Sequence, residues 1–137
     1  MTTVIPQALF RCLIVDDLEF HRIGIQKMVE SALEGYPSLC NSVGSGAEAV
    51  QLCAQSTYNL IIVDYNMPEM NGAETVRKIL ALQPNAHIVG CTACEDPETI
   101  QKCLDAGMKR VFPKDWRQVR EFVKKLIPDA LKRTSLG

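Results

Sequence analysis

The residues that could do chemistry in this chain stand where apolar runs end. Cys12-Leu13-Ile14-Val15 runs into Asp16-Asp17, and Leu60-Ile61-Ile62-Val63 runs into Asp64. His87 to Cys91 is followed by Thr92, and Arg110 to Phe112 is followed two residues on by Lys114. Brought together, three carboxylates would repel one another strongly. A divalent cation relieves that repulsion, and hard oxygen ligands suit Mg²⁺, which keeps some of its waters and commonly joins carboxylates to a phosphate. An aspartate carboxylate can attack phosphorus and form an acyl phosphate. A lysine ammonium and a cation would neutralise charge on the transferring group. A threonine hydroxyl can hydrogen-bond a phosphoryl oxygen and so report the modification.

Taken singly, each residue has a structural explanation. An acidic pair after a strand is often a helix N-cap and dipole partner, and Thr92 and Lys114 are of types common on surfaces. Their joint occurrence at four strand ends points to a site. The C-x-x-C of Cys91 and Cys94 has no second pair for zinc, and it follows a strand rather than opening a redox helix. It reads as two small residues flanking Thr92. The remaining cysteines sit mostly in apolar runs, where the thiol behaves as a small hydrophobe.

The elements that must position these residues alternate. A helix is expected from about Leu18 to Leu33, with Ile25, Met28, Val29, Ala32 and Leu33 on one face. A weaker strand spans Ser38 to Val43, and the capping box Ser45-Gly46-Ala47-Glu48 opens a helix whose Ala49, Val50 and Cys53 turn inward. Asn71 and Glu74 cap a helix carrying Val76, Ile79 and Leu80. Asp96-Pro97 opens another, which Gly107 stops. Asp115 and Gln118 begin the last, with Val119, Phe122, Val123, Leu126 and Ile127 as its stripe and Pro128 near its end. The strands are continuous apolar runs, so both faces are buried, as in a parallel sheet between helix layers. Right-handed crossovers then lead to a doubly wound α/β sandwich, whose ligand sites form at the carboxyl ends of the strands.

The 137 residues fit one domain, with an N-terminal extension at 1–9 and a tail or linker at 129–137. A formal net charge of -1 draws the chain neither to nucleic acid nor to anionic lipid. No apolar run approaches the roughly 18 to 20 residues of a membrane helix. MTTVIPQALFR lacks a basic stretch followed by a long apolar one. The expected location is therefore the cytoplasm, or the nucleus.

The segments LIVDD (13–17), LIIVDYNMPEMNG (60–72), CTA (91–93), DAGM (105–108) and FPK (112–114) resemble the receiver domain of two-component response regulators and hybrid histidine kinases, a family that includes the bacterial chemotaxis regulator. The resemblance covers residues 10–128. It implies a flavodoxin-like (βα)5 fold whose five-stranded parallel sheet has the order 2-1-3-4-5. Asp64 then corresponds to the phosphoacceptor, and Asp16 and Asp17 to the acidic pair that holds Mg²⁺, with Mn²⁺ as the substitute ion. Asn66 corresponds to the position whose backbone carbonyl also meets the metal. Thr92 matches the switch hydroxyl and Lys114 the lysine that pairs with the phosphoryl group. Such domains catalyse their own phosphorylation from the phosphohistidine of a histidine kinase or histidine phosphotransfer protein, hydrolyse the product slowly, and pass the change to a downstream protein.

Two positions depart from that pattern. Where the family has an aromatic three positions before the lysine, this chain has Val111, with Phe112 beside it in a slot usually held by an aliphatic. Where the family has proline after the lysine, this chain has Asp115. A cis bond without proline would cost about 2.5 to 4 kcal/mol, so Lys114–Asp115 is expected to be trans, with an altered loop. Rival functions fit less well. A haloacid-dehalogenase-type phosphatase needs a second aspartate where Asn66 stands, and an FMN binder would have its phosphate repelled by Asp16-Asp17. A docking module whose output does not depend on phosphorylation remains the alternative, although all five site residues are retained.

Overall fold

The computed structural model describes the backbone of residues 9–136 and the side chains of 9–127. Of the expected extension at 1–9 only Leu9 is among the described residues, and the side chains of the expected tail at 129–137 lie outside them. Five strands, β1 (Phe10–Val15), β2 (Ser38–Val43), β3 (Leu60–Val63), β4 (Ile88–Cys91) and β5 (Val111–Phe112), form one sheet in the order β2-β1-β3-β4-β5. Every pairing is parallel. Between and after them lie α1 (Glu19–Ala32), α2 (Gly46–Cys53), α3 (Gly72–Leu82), α4 (Pro97–Ala106) and α5 (Trp116–Leu136). This is the expected doubly wound (βα)5 fold with its 2-1-3-4-5 sheet.

Alternate side chains of each buried strand feed opposite cores. Cys12, Ile14, Leu60, Ile62 and Val89 pack with Ile25 and Val29 of α1 and Val119 and Val123 of α5. Leu13, Val15, Ile61, Val63 and Ile88 pack with Ala49 of α2, Val76 and Ile79 of α3 and Cys103 of α4. Each fully buried aliphatic side chain contributes about 1.5–3 kcal/mol, which is why β3 and β4, buried along their whole length, read Leu-Ile-Ile-Val and Ile-Val-Gly-Cys, while the more exposed β2 carries Ser38, Asn41 and Ser42. On the first face α1 and α5 meet closely. A Cβ at Gly24 would stand 2.2 Å from the Trp116 ring, so only glycine lets the indole lie on the helix.

Local signals set the helix starts. Ser45 Oγ accepts from the Glu48 N–H at 3.2 Å, and Asn71 Oδ1 from the Glu74 N–H at 2.9 Å. Asp96 caps α4 with Pro97 in its first turn, and Gly107, at φ +121, ends it. Asp115 Oδ1 accepts from the Arg117 N–H at 3.1 Å, as expected of the last helix's cap. That helix continues past Pro128, where its end was expected. A proline removes one main-chain donor and crowds the carbonyl four residues back, which can bend a helix without ending it.

Phe112 is 2% exposed and packs 5.1 Å from the Phe122 ring, while Val111 is half-buried against the other core. His87, just before β4, meets Phe122 edge-on at 5.8 Å. Burial, and then the charge of Lys109, lower its pKa below the ordinary 6.5. A depressed histidine favours folding above its unfolded pKa, and that contribution is lost as pH falls through the folded value. Urea midpoints compared at pH 7.5 and 5.5 are therefore expected to drop further for the wild type than for His87→Gln. Equal drops would remove His87 as the cause.

Candidate functional site

Register brings the chemistry together. Val15 pairs with Val63, so the next residues, Asp16 and Asp64, emerge side by side between β1 and β3, where the chain switches direction across the sheet. The Asp64 N–H donates to Val15 O at 2.9 Å. One strand over, the Thr92 N–H donates to Phe112 O at 3.0 Å, joining the ends of β4 and β5. No cis peptide occurs among the described residues, so Lys114–Asp115 is trans as expected, and the loop still carries the ammonium back to the acids.

Asp16 is fully buried and held on all sides. Its N–H donates to Val43 O at 3.2 Å, and its carbonyl accepts from Arg22 Nη1 at 2.6 Å. Oδ1 accepts from the Leu18 N–H at 3.0 Å, and Oδ2 pairs with Lys114 Nζ, with His21 Nδ1 at 3.4 Å. The acidic pair is not a conventional helix cap. The N-cap of α1 is Leu18, and no side chain bonds there as a cap. Asp64 is 6% exposed, with Oδ2 4.0 Å from Lys114 Nζ and Oδ1 buried without a hydrogen-bond partner among the described residues. Asp17 is half-buried at the mouth. One carboxylate oxygen from each of Asp16, Asp17 and Asp64 lies within 4.8 Å of the other two. Thr92, 2% exposed, accepts from the Cys94 N–H on its Oγ1 at 3.2 Å. Asn66 is exposed, two residues beyond Asp64.

Burial raises the pKa of Asp64, the nearby Lys114 charge opposes the rise, and Asp16 adds to it. Three hard oxygen donors at this separation, one of them buried without a partner, fit a small divalent cation, and the half-exposed Asp17 leaves an entry. The neighbouring Cys91 does not compete. Cys91 is buried with its thiol pushed up to about 11, chiefly by burial, so it stays protonated at neutral pH.

Residues 12–126 match the model of the response regulator receiver domain. The chain belongs to that family. A chemotaxis protein CheY of Thermotoga maritima is 31% identical over 110 residues, covering 80% of this chain and 89% of that protein. The CheY-like receiver domain protein of Methanospirillum hungatei JF-1 has a TM-score of 0.76 at 25% identity, over 92% of this chain and 99% of that one. A chain of the CheX–CheY–BeF3–Mg²⁺ complex of Borrelia burgdorferi has a TM-score of 0.73 at 25% identity, over 86% of this chain and 89% of that one. The protein is thus a receiver of two-component signalling.

The receiver's site also uses residues that strand-end logic does not reveal. His21 and Arg22 reach Asp16 from α1, and their only trace in the sequence is a spacing of five and six residues from it. Glu69 has φ +68 at the centre of a three-residue turn closed by the Met70 N–H on Pro68 O at 2.7 Å, a strained conformation in the loop that follows the phosphoacceptor candidate. Gly72 packs against the Asp64 main chain. A Cβ there would stand 2.3 Å from Asp64 O and 2.8 Å from Tyr65 Cα. Gly72→Ala is expected to cost about 3 kcal/mol in urea unfolding, because backbone rather than a flexible side chain must yield. A loss within experimental error would show that α3 can move away freely.

Proposed function

We propose that this receiver accepts a phosphoryl group on Asp64 and uses the modification to switch a protein–protein interaction. The single observation that carries the reading is the Asp64 carboxylate itself: buried, its Oδ1 unpartnered, beside two further acids and one ammonium. Asp16, Asp17, Asp64 and the main-chain carbonyl of Asn66 would hold Mg²⁺, or Mn²⁺ in its place. When bound, the ion neutralises the carboxylates and the charge on the incoming phosphoryl oxygens.

The donor is the phosphohistidine of a histidine kinase or histidine phosphotransfer protein. An Asp64 oxygen attacks phosphorus, the P–N bond to the donor imidazole breaks, and the released imidazole takes up a proton. Water later cleaves the acyl phosphate to inorganic phosphate and returns the carboxylate. Lys114 Nζ, 4.0 Å from Asp64 Oδ2, takes the new phosphoryl oxygens. Thr92 bonds one of them through its hydroxyl. Because the Thr92 N–H is bonded to Phe112 O, a shift of Thr92 pulls on β5 through the main chain. Val111 offers no aromatic ring to turn inward, so the change reaches the surface of α4, β5 and α5 through that backbone link rather than through a side chain at 111. A downstream protein reads that surface. Among the described residues no helix is long and apolar enough to cross a membrane, and the cytoplasm is the proposed location.

Incubation with Mg²⁺ and acetyl phosphate followed by intact-mass measurement tests the assignment, with a phosphorylated phosphotransfer protein as second donor. One phosphoryl adduct is expected on the wild type and none on Asp64→Asn. No adduct from either donor, or an adduct that survives the substitution, overturns it.

A further inference from the structure

We propose that Arg22 is a positioning residue for the metal site, holding the Asp16-Asp17 turn from behind so that its carboxylates converge; the inference rests on the Asp16, Asp17 and Asp64 metal site proposed above. Arg22 stands in the second turn of α1, where an exposed arginine would ordinarily extend into solvent. Its Nη1 instead donates to the carbonyl of Asp16 at 2.6 Å, a charge-assisted bond to the peptide that joins the two acids. The guanidinium lies between this turn and the loop after β2. Nη1 lies 3.2 Å from where a Cβ of Gly44 would stand, so a side chain at 44 would crowd it. From the opposite side the Asp16 N–H is held by Val43 O at 3.2 Å. Both main-chain groups of Asp16 are therefore tied, one to β2 and one to Arg22. Asp17 has no comparable side-chain anchor among the described hydrogen bonds, and its carboxylate depends on the turn for its direction. Among the described residues the guanidinium bonds no carboxylate, so its part is geometric rather than that of a counter-ion.

The sign of the effect separates this role from plain electrostatics. Removing a cation near a cation site should tighten Mg²⁺ binding if charge alone matters. Removing a support for the ligands should weaken it, as loss of outer partners does at metal sites, by roughly tenfold or more. Mg²⁺ affinity is to be measured by calorimetry at constant ionic strength for the wild type, Arg22→Met, which keeps an unbranched apolar stem without donors, and Arg22→Lys. Urea unfolding of each without divalent ions runs in parallel. Arg22→Met is expected to bind Mg²⁺ about tenfold more weakly, with Arg22→Lys intermediate because its ammonium can still donate to the carbonyl. Unchanged or tighter binding by Arg22→Met overturns the inference, as does a loss that Arg22→Lys does not relieve. Should Arg22→Met unfold, Arg22→Lys against the wild type decides alone, equal affinity counting against the role. A wild type that binds Mg²⁺ only as well as Asp64→Asn overturns the metal site first, and this inference with it.

Discussion

Asp64→Asn is expected to raise the stability of the metal-free protein by about 1–2 kcal/mol while abolishing phosphoryl acceptance. Carboxylate oxygens of Asp16, Asp17 and Asp64 lie within 4.8 Å of one another. At that distance, with an effective dielectric constant of about 20, each pair repels by about 3 kcal/mol. Lys114 Nζ stands 4.0 Å from Asp64 Oδ2, an attraction of about 4 kcal/mol on the same scale. The two repulsions exceed the one attraction, burial adds to the penalty, and solvent at the half-exposed Asp17 reduces it. The pKa of Asp64 is raised, with burial as the largest cause, Lys114 opposing it and Asp16 adding to it. A carboxyl whose folded pKa is raised favours folding below the unfolded value of 3.8, and loses that contribution as pH rises through the folded value. Above the folded value the penalty is fully present, and asparagine removes it. Urea unfolding at pH 7 without divalent ions checks this, and a less stable variant would show that the acids are not in conflict. Saturating Mg²⁺ should narrow or reverse the difference, because the ion stabilises the form that binds it more tightly.

Lys114→Met is expected to act in the opposite direction, costing about 2 kcal/mol without divalent ions. Its ammonium pairs with Asp16 Oδ2, and Asp16 is fully buried. Removing one member of a buried pair leaves the other charge uncompensated, a loss of about 3–5 kcal/mol when burial is complete. Lys114 itself is only partly buried, which reduces the figure. Mg²⁺ should restore most of the loss, since it supplies positive charge to the same carboxylates. Restoration of folding should not restore switching: Lys114→Met loaded with phosphoryl is expected to lose the phosphorylation-dependent change in partner binding. Stability equal to wild type without metal would contradict the Asp16 pairing. A variant that still switches would remove Lys114 from the response.

Much of the architecture was legible because its causes are short in sequence. Continuous apolar runs such as Leu13-Ile14-Val15 and Leu60-Ile61-Ile62-Val63 could be satisfied only by burial on both faces, hence by a parallel sheet between helices. Ser45, Asn71, Asp96 and Gly107 mark helix ends through bonds or backbone angles spanning a few residues, and each does so in the structure. The candidate site was legible for the same reason. In such a sheet, strand ends collect at one edge, so Asp16, Asp17, Asp64, Thr92 and Lys114 could be grouped from order alone. Strand ends near weak signals were less well defined. β1 begins at Phe10 rather than Cys12, and β5 is reduced to Val111–Phe112, because edge pairing depends on a neighbour's register.

By itself, then, the sequence determined the layers, the strand-end residues and the chemistry open to them. Only the tertiary structure decided how those residues divide their interactions. Lys114 pairs more closely with Asp16 than with Asp64, a relation across 98 residues of chain. Arg22 turns back to the Asp16 carbonyl, Gly72 lies against the Asp64 backbone, and Phe112 fills the core that Val111 leaves. Apolar period and capping act through neighbours along the chain. The partner of a buried charge is set instead by the register of parallel strands and by which side chains reach across the gap, and no local pattern encodes either.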